Sequence, residues 1–260
     1  MKITKLNSLL ILLISLAFFS CKKQTEQYKT PLVSDYLPLK SGNYIIYRTD
    51  STVFPNFGRA SEIHSYLEKQ VVDSQITDGL GRPSYRMFRF LNDTTGSGPW
   101  VPTGTFFITV AGNNVEIIED NLRVIKLTMP IVAGITWNGN KYLPYKPYSP
   151  VYQFSNDNYM NSTTITDWDY SYHNIDTSMM FNNQKINNVL IVNGINQASN
   201  LDDTNPADYQ SMNYIEDMYA KGIGMVYQNF IMWEYQPNTG GPSGGFKWGF
   251  GVQRTMLNHN

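Results

Sequence analysis

Residues 43–54 read Asn-Tyr-Ile-Ile-Tyr-Arg-Thr-Asp-Ser-Thr-Val-Phe. β-Branched and aromatic side chains fill this run, and Pro55 and Gly58 stop it. Such a composition predicts a strand, because these side chains pack well on a pleated, half-buried surface and a proline cannot continue the ladder. The same signature recurs along the chain. Residues 61–74 carry Val71 and Val72 and lead through Ile76 into an Asp78-Gly79 turn. Residues 84–91 alternate Tyr85, Met87 and Arg89 with Arg86, Phe88 and Phe90. Residues 103–111 and 114–119 form a hairpin about Gly112 and Asn113, and 122–129 ends at Pro130. The stretch 130–150 is irregular, rich in Gly, Pro and aromatic residues. Beyond it, 151–154, 163–170, 176–181, 186–193, 212–219, 224–235 and 246–256 again have strand character, separated by Asn-rich or Gly-rich turns.

About a dozen strands with no long helical stripe predict an all-β, mainly antiparallel domain over residues 36–260. Its expected form is a single large curved sheet, either a half-barrel or a sandwich. No repeat of constant period is present, and neither side of 130–150 reads as an independent architecture, so one domain is expected.

Composition narrows the function. The 260 residues are 42% hydrophobic, 14% aromatic and only 16% charged, with a formal net charge of −1. This excludes a disordered chain and a strongly basic nucleic-acid binder. A single cysteine excludes a disulfide framework within the chain and any zinc site needing two thiolates. The three histidines, His64, His173 and His259, form no short-spaced pair of the kind metal sites favour. No metal or cofactor is expected.

The N-terminus tells where the protein goes. Lys2 and Lys5 precede an apolar run from Leu9 to Phe19 in which Ser15 is the only polar residue. A bilayer-spanning helix needs about 20 apolar residues, so the run is too short to span and instead has the form of a cleaved secretory signal helix over residues 1–20. The chain's only cysteine, Cys21, stands where the apolar run gives way to a polar segment.

Ser20-Cys21-Lys22-Lys23 resembles the lipobox of bacterial lipoproteins, in which a small residue precedes the cysteine that becomes the mature N-terminus. Phe18 and Phe19 depart from the usual leucine and small residue and match the looser lipoboxes of Bacteroidota-type lipoproteins. The resemblance implies that Cys21 carries a diacylglycerol. Two acyl chains suffice for stable membrane anchoring, at about 0.8 kcal/mol per buried CH₂. Residues 21–35 then form a flexible tether. Loss of residues 1–20 removes Lys2 and Lys5 and takes the formal net charge from −1 to −3. Surface-exported lipoproteins of this type often carry acids after the cysteine; Lys22 and Lys23 stand there instead, which favours the periplasmic face of the outer membrane over the cell surface. The segments 36–44, 137–140 and 219–227 are similar to secreted lipoproteins of the same type, some of them curved half-barrels of carrier type, a likeness that implies no activity.

Several constellations of residues bear on chemistry. Gly241-Pro242-Ser243-Gly244-Gly245 matches the Gly-x-Ser-x-Gly nucleophile elbow in letters, but it lies in a Gly/Pro loop between strands and only His259 follows it. Gly222 and Gly224 fit a corner between strands better than a phosphate loop. Asp202, Asp203, Asn205 and Asp208 offer hard oxygen ligands without the spacing of a calcium loop. If 163–173 were a single strand, Asp167, Asp169 and His173 would share one face and Trp168, Tyr170 and Tyr172 the other. Aromatic residues are abundant, and Trp137, Tyr142, Tyr145 and Tyr148 cluster in the irregular stretch, where ligand-binding residues tend to lie.

These readings lead to a lipid-anchored cell-envelope protein acting as a non-catalytic binding or structural module. Its expected partners are the membrane, through Cys21, and an apolar or glycan ligand or another envelope protein. Trp137, Tyr142, Tyr145, Tyr148, Asp167, Asp169 and His173 are the candidate ligand-binding residues. The alternative is a glycan-acting hydrolase using paired carboxylates, for which Asp167 and Asp169 are the candidate pair.

Overall fold

Alternating side chains and turn residues produce twelve strands, all hydrogen-bonded into one antiparallel sheet. The structure, a computed structural model, describes residues 30–149, 151–152, 165–201, 205, 207–238 and 244–260. The strands are β1 (Tyr44–Val53), β2 (Glu62–Thr77), β3 (Pro83–Asn92), β4 (Val101–Ala111), β5 (Asn114–Glu119), β6 (Leu122–Thr128), β7 (Thr136–Asn138), β8 (Asp169–Phe181), β9 (Gln184–Ser199), β10 (Gln210–Ala220), β11 (Gly224–Gln236) and β12 (Phe246–His259).

Their spatial order is β6-β5-β4-β3-β2-β1-β12-β11-β10-β9-β8-β7. Two six-stranded meanders therefore meet in the middle, where β1 pairs with β12 from Ile45↔His259 to Thr52↔Gly251. The outermost strands, β6 and β7, are consecutive in sequence and joined by only residues 129–135. That link spans at most about 25 Å, whereas a flat sheet of this many strands would be roughly 50 Å wide. The sheet has to curl until its edges approach, and it forms a nearly closed barrel.

The seam is stitched by a few bonds and lacks a full ladder. The Ile125 amide donates to the Gly139 carbonyl at 2.8 Å, and the Trp137 indole N–H donates to the Ile125 carbonyl at 2.9 Å. The Tyr172 hydroxyl donates to the Thr128 carbonyl at 2.6 Å and accepts from the Thr128 amide at 2.8 Å. Gly139 is required here, because a Cβ would overlap the Tyr170 ring.

The expectation of an all-β antiparallel fold built on one curved sheet holds, and the curvature goes further than a half-barrel. Local differences have local causes. The strand expected at 163–170 is a 3-10 turn at Ile165–Asp167, and β8 starts at Asp169 and runs through to Phe181. Three register shifts along the β8–β9 pair interrupt its alternation, which hid residues 171–175 as strand. β7 lies inside the stretch read as irregular. Residues 153–154 of the expected strand 151–154, and the expected signal segment and Cys21, lie outside the described residues.

The described part of the expected tether is not free. Val33–Asp35 form a 3-10 turn, Val33 is buried, and Tyr36 is completely buried. Pro31–Asn260 make one compact unit. Within it, residues 31–43 form a strap across the barrel end where β1 begins. The strap is held by Gly42 N–H to Val72 carbonyl (2.8 Å), Val72 N–H to Asn43 carbonyl (2.8 Å) and Gly222 N–H to Asp35 carbonyl (2.7 Å). Gly222 and Gly224 take positive φ at the β10–β11 corner. Among the described residues, no helix is long and apolar enough to cross a membrane.

Candidate functional site

Register decides which side chains enter the barrel. Directly opposed residues in antiparallel strands share a face, so the partners Tyr47↔Glu68, Thr49↔Arg254, Arg254↔Gln228 and Gln228↔Asp217 all point inward. Apolar residues dominate that face near the strap, where Val72, Met87, Phe106, Ile108 and Val115 pack with Tyr219. Halfway up, the interior turns ionic. On β6, a bulge opposite Val115 and Glu116 turns both Lys126 and Leu127 inward.

The ionic residues form a continuous belt across the lumen. Arg254 Nε reaches both Glu68 carboxylate oxygens at 3.1 Å and its guanidinium also bonds the Gln228 carbonyl oxygen. Gln228 Nε2 donates to Asp217 Oδ1 at 2.8 Å, and Lys126 Nζ donates to Asp217 Oδ2 at 2.8 Å. On the other side, Arg89 Nε lies 3.4 Å from Glu68 and its guanidinium also pairs with Glu119. Gln70 Nε2 donates to Glu68 Oε1 at 2.7 Å. Glu68 and Asp217 are 1% and 0% exposed. Burial by itself would push the Glu68 carboxyl up, but Arg254, Arg89 and Gln70 outweigh it and hold it below its ordinary value. Burial lowers the Arg89 guanidinium, and Glu68 opposes that shift.

Above the belt, away from the strap, lies a cavity of about 270 Å³. One wall is aromatic. The Phe230 and Phe250 centroids are 5.1 Å apart and nearly perpendicular, and Tyr148 packs 5.2 Å from Phe250 and 6.2 Å from Phe230. Phe230 and Phe250 face inward yet are only partly buried, because the cavity exposes them. The rest of the lining mixes aliphatic Ile117, Leu122, Val124, Ile215 and Val252 with polar Lys126, Arg254, Gln228, Asn140 and Glu119, and Asp120 stands at the rim. Tyr170 contributes its ring and donates from its hydroxyl to Asn140 Oδ1 at 3.1 Å. Burial raises the Tyr170 and Tyr148 phenols well above their ordinary value, so both stay protonated donors. A smaller apolar cavity of about 70 Å³ lies under the strap.

The structure separates the residues that the sequence grouped. Of the four aromatics, Tyr148 alone lines the cavity. Trp137 sits at the seam, stacked on Tyr170 at 6.0 Å and tilted against Tyr172 at 4.7 Å. Tyr142 and Tyr145 are exposed, the first beside Arg123 and Lys141 and the second beside Lys146. Asp167 stands on the 3-10 turn, off the strand that carries Asp169 and His173; all three are exposed. Trp168, Tyr170 and Tyr172 are buried on the opposite side. Asn205 and Asp208 bond each other at 3.1 Å within a turn, while Asp202 and Asp203 lie outside the described residues, as do residues 241–243 of the Gly-Pro-Ser-Gly-Gly stretch.

The belt residues were missed by sequence reasoning, although a signal existed. In β12 the residues in phase are Phe250, Val252, Arg254 and Met256, and in β3 they are Tyr85, Met87 and Arg89. A cation repeated in phase with an apolar face marks an inward charge, and the alternation was already visible.

No protein-family model matches the chain, and no curated protein does. Among solved structures, the chain is similar to a protein of Parabacteroides distasonis provisionally designated a lipoprotein, with 9% identity and a TM-score of 0.36 over 86% of this chain and 98% of that one.

Proposed function

We propose that this protein is a lipid-anchored envelope protein, non-catalytic, whose barrel interior binds a small ligand. The observation that carries the binding reading is the cavity: an aromatic wall faces fixed polar groups inside a rigid sheet, the combination expected of a small-molecule site. No two of the acids act as a hydrolytic pair in this reading: of those that line the cavity, Glu119 pairs with Arg89 and Asp120 is exposed at the rim, and Glu68 and Asp217 in the belt are each held by cations. The groove of about 360 Å³ between the strap and β3–β5 offers few polar groups, Ser34, Lys40 and the Tyr85 hydroxyl, and serves as packing space in this reading.

Anchoring rests on Cys21 and the segment before it. The barrel's outer face supports a body in water: Arg48 pairs with Asp50 and Arg86 with Asp73 at mid-strand positions, where a membrane-spanning barrel would need apolar side chains. The proposed location is the outer membrane, with the periplasmic face favoured by Lys22 and Lys23.

The test uses protein purified from its own envelope. Mass spectrometry is expected to find the Cys21 sulfur diacylated. Small molecules released on denaturing the wild type are expected to be missing from Val252→Trp, which fills the cavity from β12. A bare Cys21 would sink the anchor, and an identical released set from both proteins would sink the cavity.

A further inference from the structure

The chemistry of the cavity narrows what it holds. Resting on the binding reading above, we infer that the ligand is a neutral, polyhydroxylated ring compound, a mono- or disaccharide.

Charge balance argues first. The belt holds three cations, Arg89, Lys126 and Arg254, against three carboxylates, Glu68, Glu119 and Asp217, and every one is in an ion pair. An ionic ligand would enter a lumen with no spare counter-charge, and would have to break a buried pair, leaving a charge uncompensated. Asp120 at the rim adds a fourth acid, but it is exposed, so solvent screens its charge, which acts on the Arg89 guanidinium through space.

An alkyl chain fits no better. It would find Ile117, Leu122, Val124, Ile215 and Val252 on its way, but it would also press hydrocarbon against Lys126, Arg254, Gln228 and Asn140, and desolvating polar groups without replacing their hydrogen bonds is costly. A sugar ring meets both walls. Its C–H face suits the rings of Phe230, Phe250 and Tyr148, which are already packed together and lose little freedom on binding. Its hydroxyls both donate and accept, and the polar wall supplies donors in Lys126 and Arg254, acceptors in Glu119, and both in Gln228 and Asn140. A cavity of about 270 Å³ stands at the small end of ligand sites, which limits the occupant to one or two rings.

The experiment is ligand-observed NMR and calorimetry on the full chain in phospholipid nanodiscs. The probes are glucose, N-acetylglucosamine and cellobiose as neutral sugars, glucuronate and glucosamine as charged ones, and octanoate as the alkyl chain. At least one neutral sugar is expected to bind about tenfold more tightly than either charged sugar or octanoate. Phe250→Leu should weaken it by about tenfold, and Val252→Trp should abolish it. Phe230→Leu is the second wall variant if Phe250→Leu fails to fold, as judged by thermal melting. Octanoate or a charged sugar binding as tightly, and blocked by Val252→Trp, would overturn the sugar class and uphold the cavity. Probe binding that Val252→Trp leaves unchanged would overturn both. Silence from every probe overturns the sugar class alone, because the cavity is judged independently by the extraction from native envelopes.

Discussion

At the strap end of the barrel, Tyr36 is completely buried, its hydroxyl 3.3 Å from Asp176, and Val72, Met87 and Ile108 pack beneath the strap. At the mouth, Phe230 and Phe250 point inward just as surely but stay partly exposed around the cavity of about 270 Å³. The same sheet, with the same alternation, is filled at one end and hollow at the other. Between them, the belt from Glu119 to Lys126 marks where packing stops. An apolar core needs no such belt, and buried ion pairs seldom improve stability over well-packed apolar residues. Its position at the floor of the hollow end is what ties it to binding.

The comparison breaks most sharply at Glu68. Replacing it with Ala leaves Arg254 without a carboxylate in the lumen and Arg89 with Glu119 alone, and loss of one partner of a buried pair costs about 3–5 kcal/mol. Urea denaturation should show that loss. A change under about 1 kcal/mol would mean that water reaches the belt and that the filled and hollow ends are not separated there. Tyr36→Ala should come next, at about 3 kcal/mol, the lower end for removing a large buried aromatic side chain. Hydrogen exchange should then rise over residues 31–43 before it rises at the mouth.

Acid tests the belt more gently. Because the Glu68 carboxyl is depressed in the folded state, its contribution is fully present above the unfolded value of about 4.3 and is lost as pH falls through the lower folded value. Wild-type stability should therefore fall across that window more steeply than that of Glu68→Gln, followed by denaturant midpoints at successive pH values. Equal slopes would mean that the Arg254 and Arg89 pairs do not hold the carboxyl ionised. The exposed pairs, such as Arg48–Asp50, add little in this window, because solvent screens them.

How much of this could be read beforehand follows from what alternation encodes. Strand content and the hairpin about Gly112 were legible, since they rest on local propensity and turn chemistry. Closure was not, because the pairing of β1 with β12 joins residues far apart in sequence, and the seam at Ile125 and Gly139, though local in sequence, is made by isolated bonds and not by a hairpin ladder. The site was half legible. Tyr148 stood out as an aromatic in an irregular stretch, yet so did Tyr142 and Tyr145, and only three-dimensional placement turns one inward and leaves the others in solvent. Asp167, Asp169 and His173 drew attention as charge beside aromatics, although in β8 that pattern marks an outer face backed by buried Tyr170 and Tyr172. The inward Arg254 was hidden because register, not residue type, gives a charge its meaning.

The smallest effects are the most discriminating. Phe250→Leu keeps an apolar side chain at a position that is already partly exposed, so its stability cost should stay below about 1.5 kcal/mol, as for volume-sparing swaps, while ligand release from native protein falls. Tyr145→Ser, at a residue 77% exposed, should shift stability by no more than about 0.5 kcal/mol and leave ligand release unchanged. The two substitutions remove aromatic rings from different settings, one facing the lumen and one facing solvent. If the binding surface were the exposed aromatic stretch and not the lumen, their order would invert, with Tyr145→Ser losing ligand and Phe250→Leu keeping it.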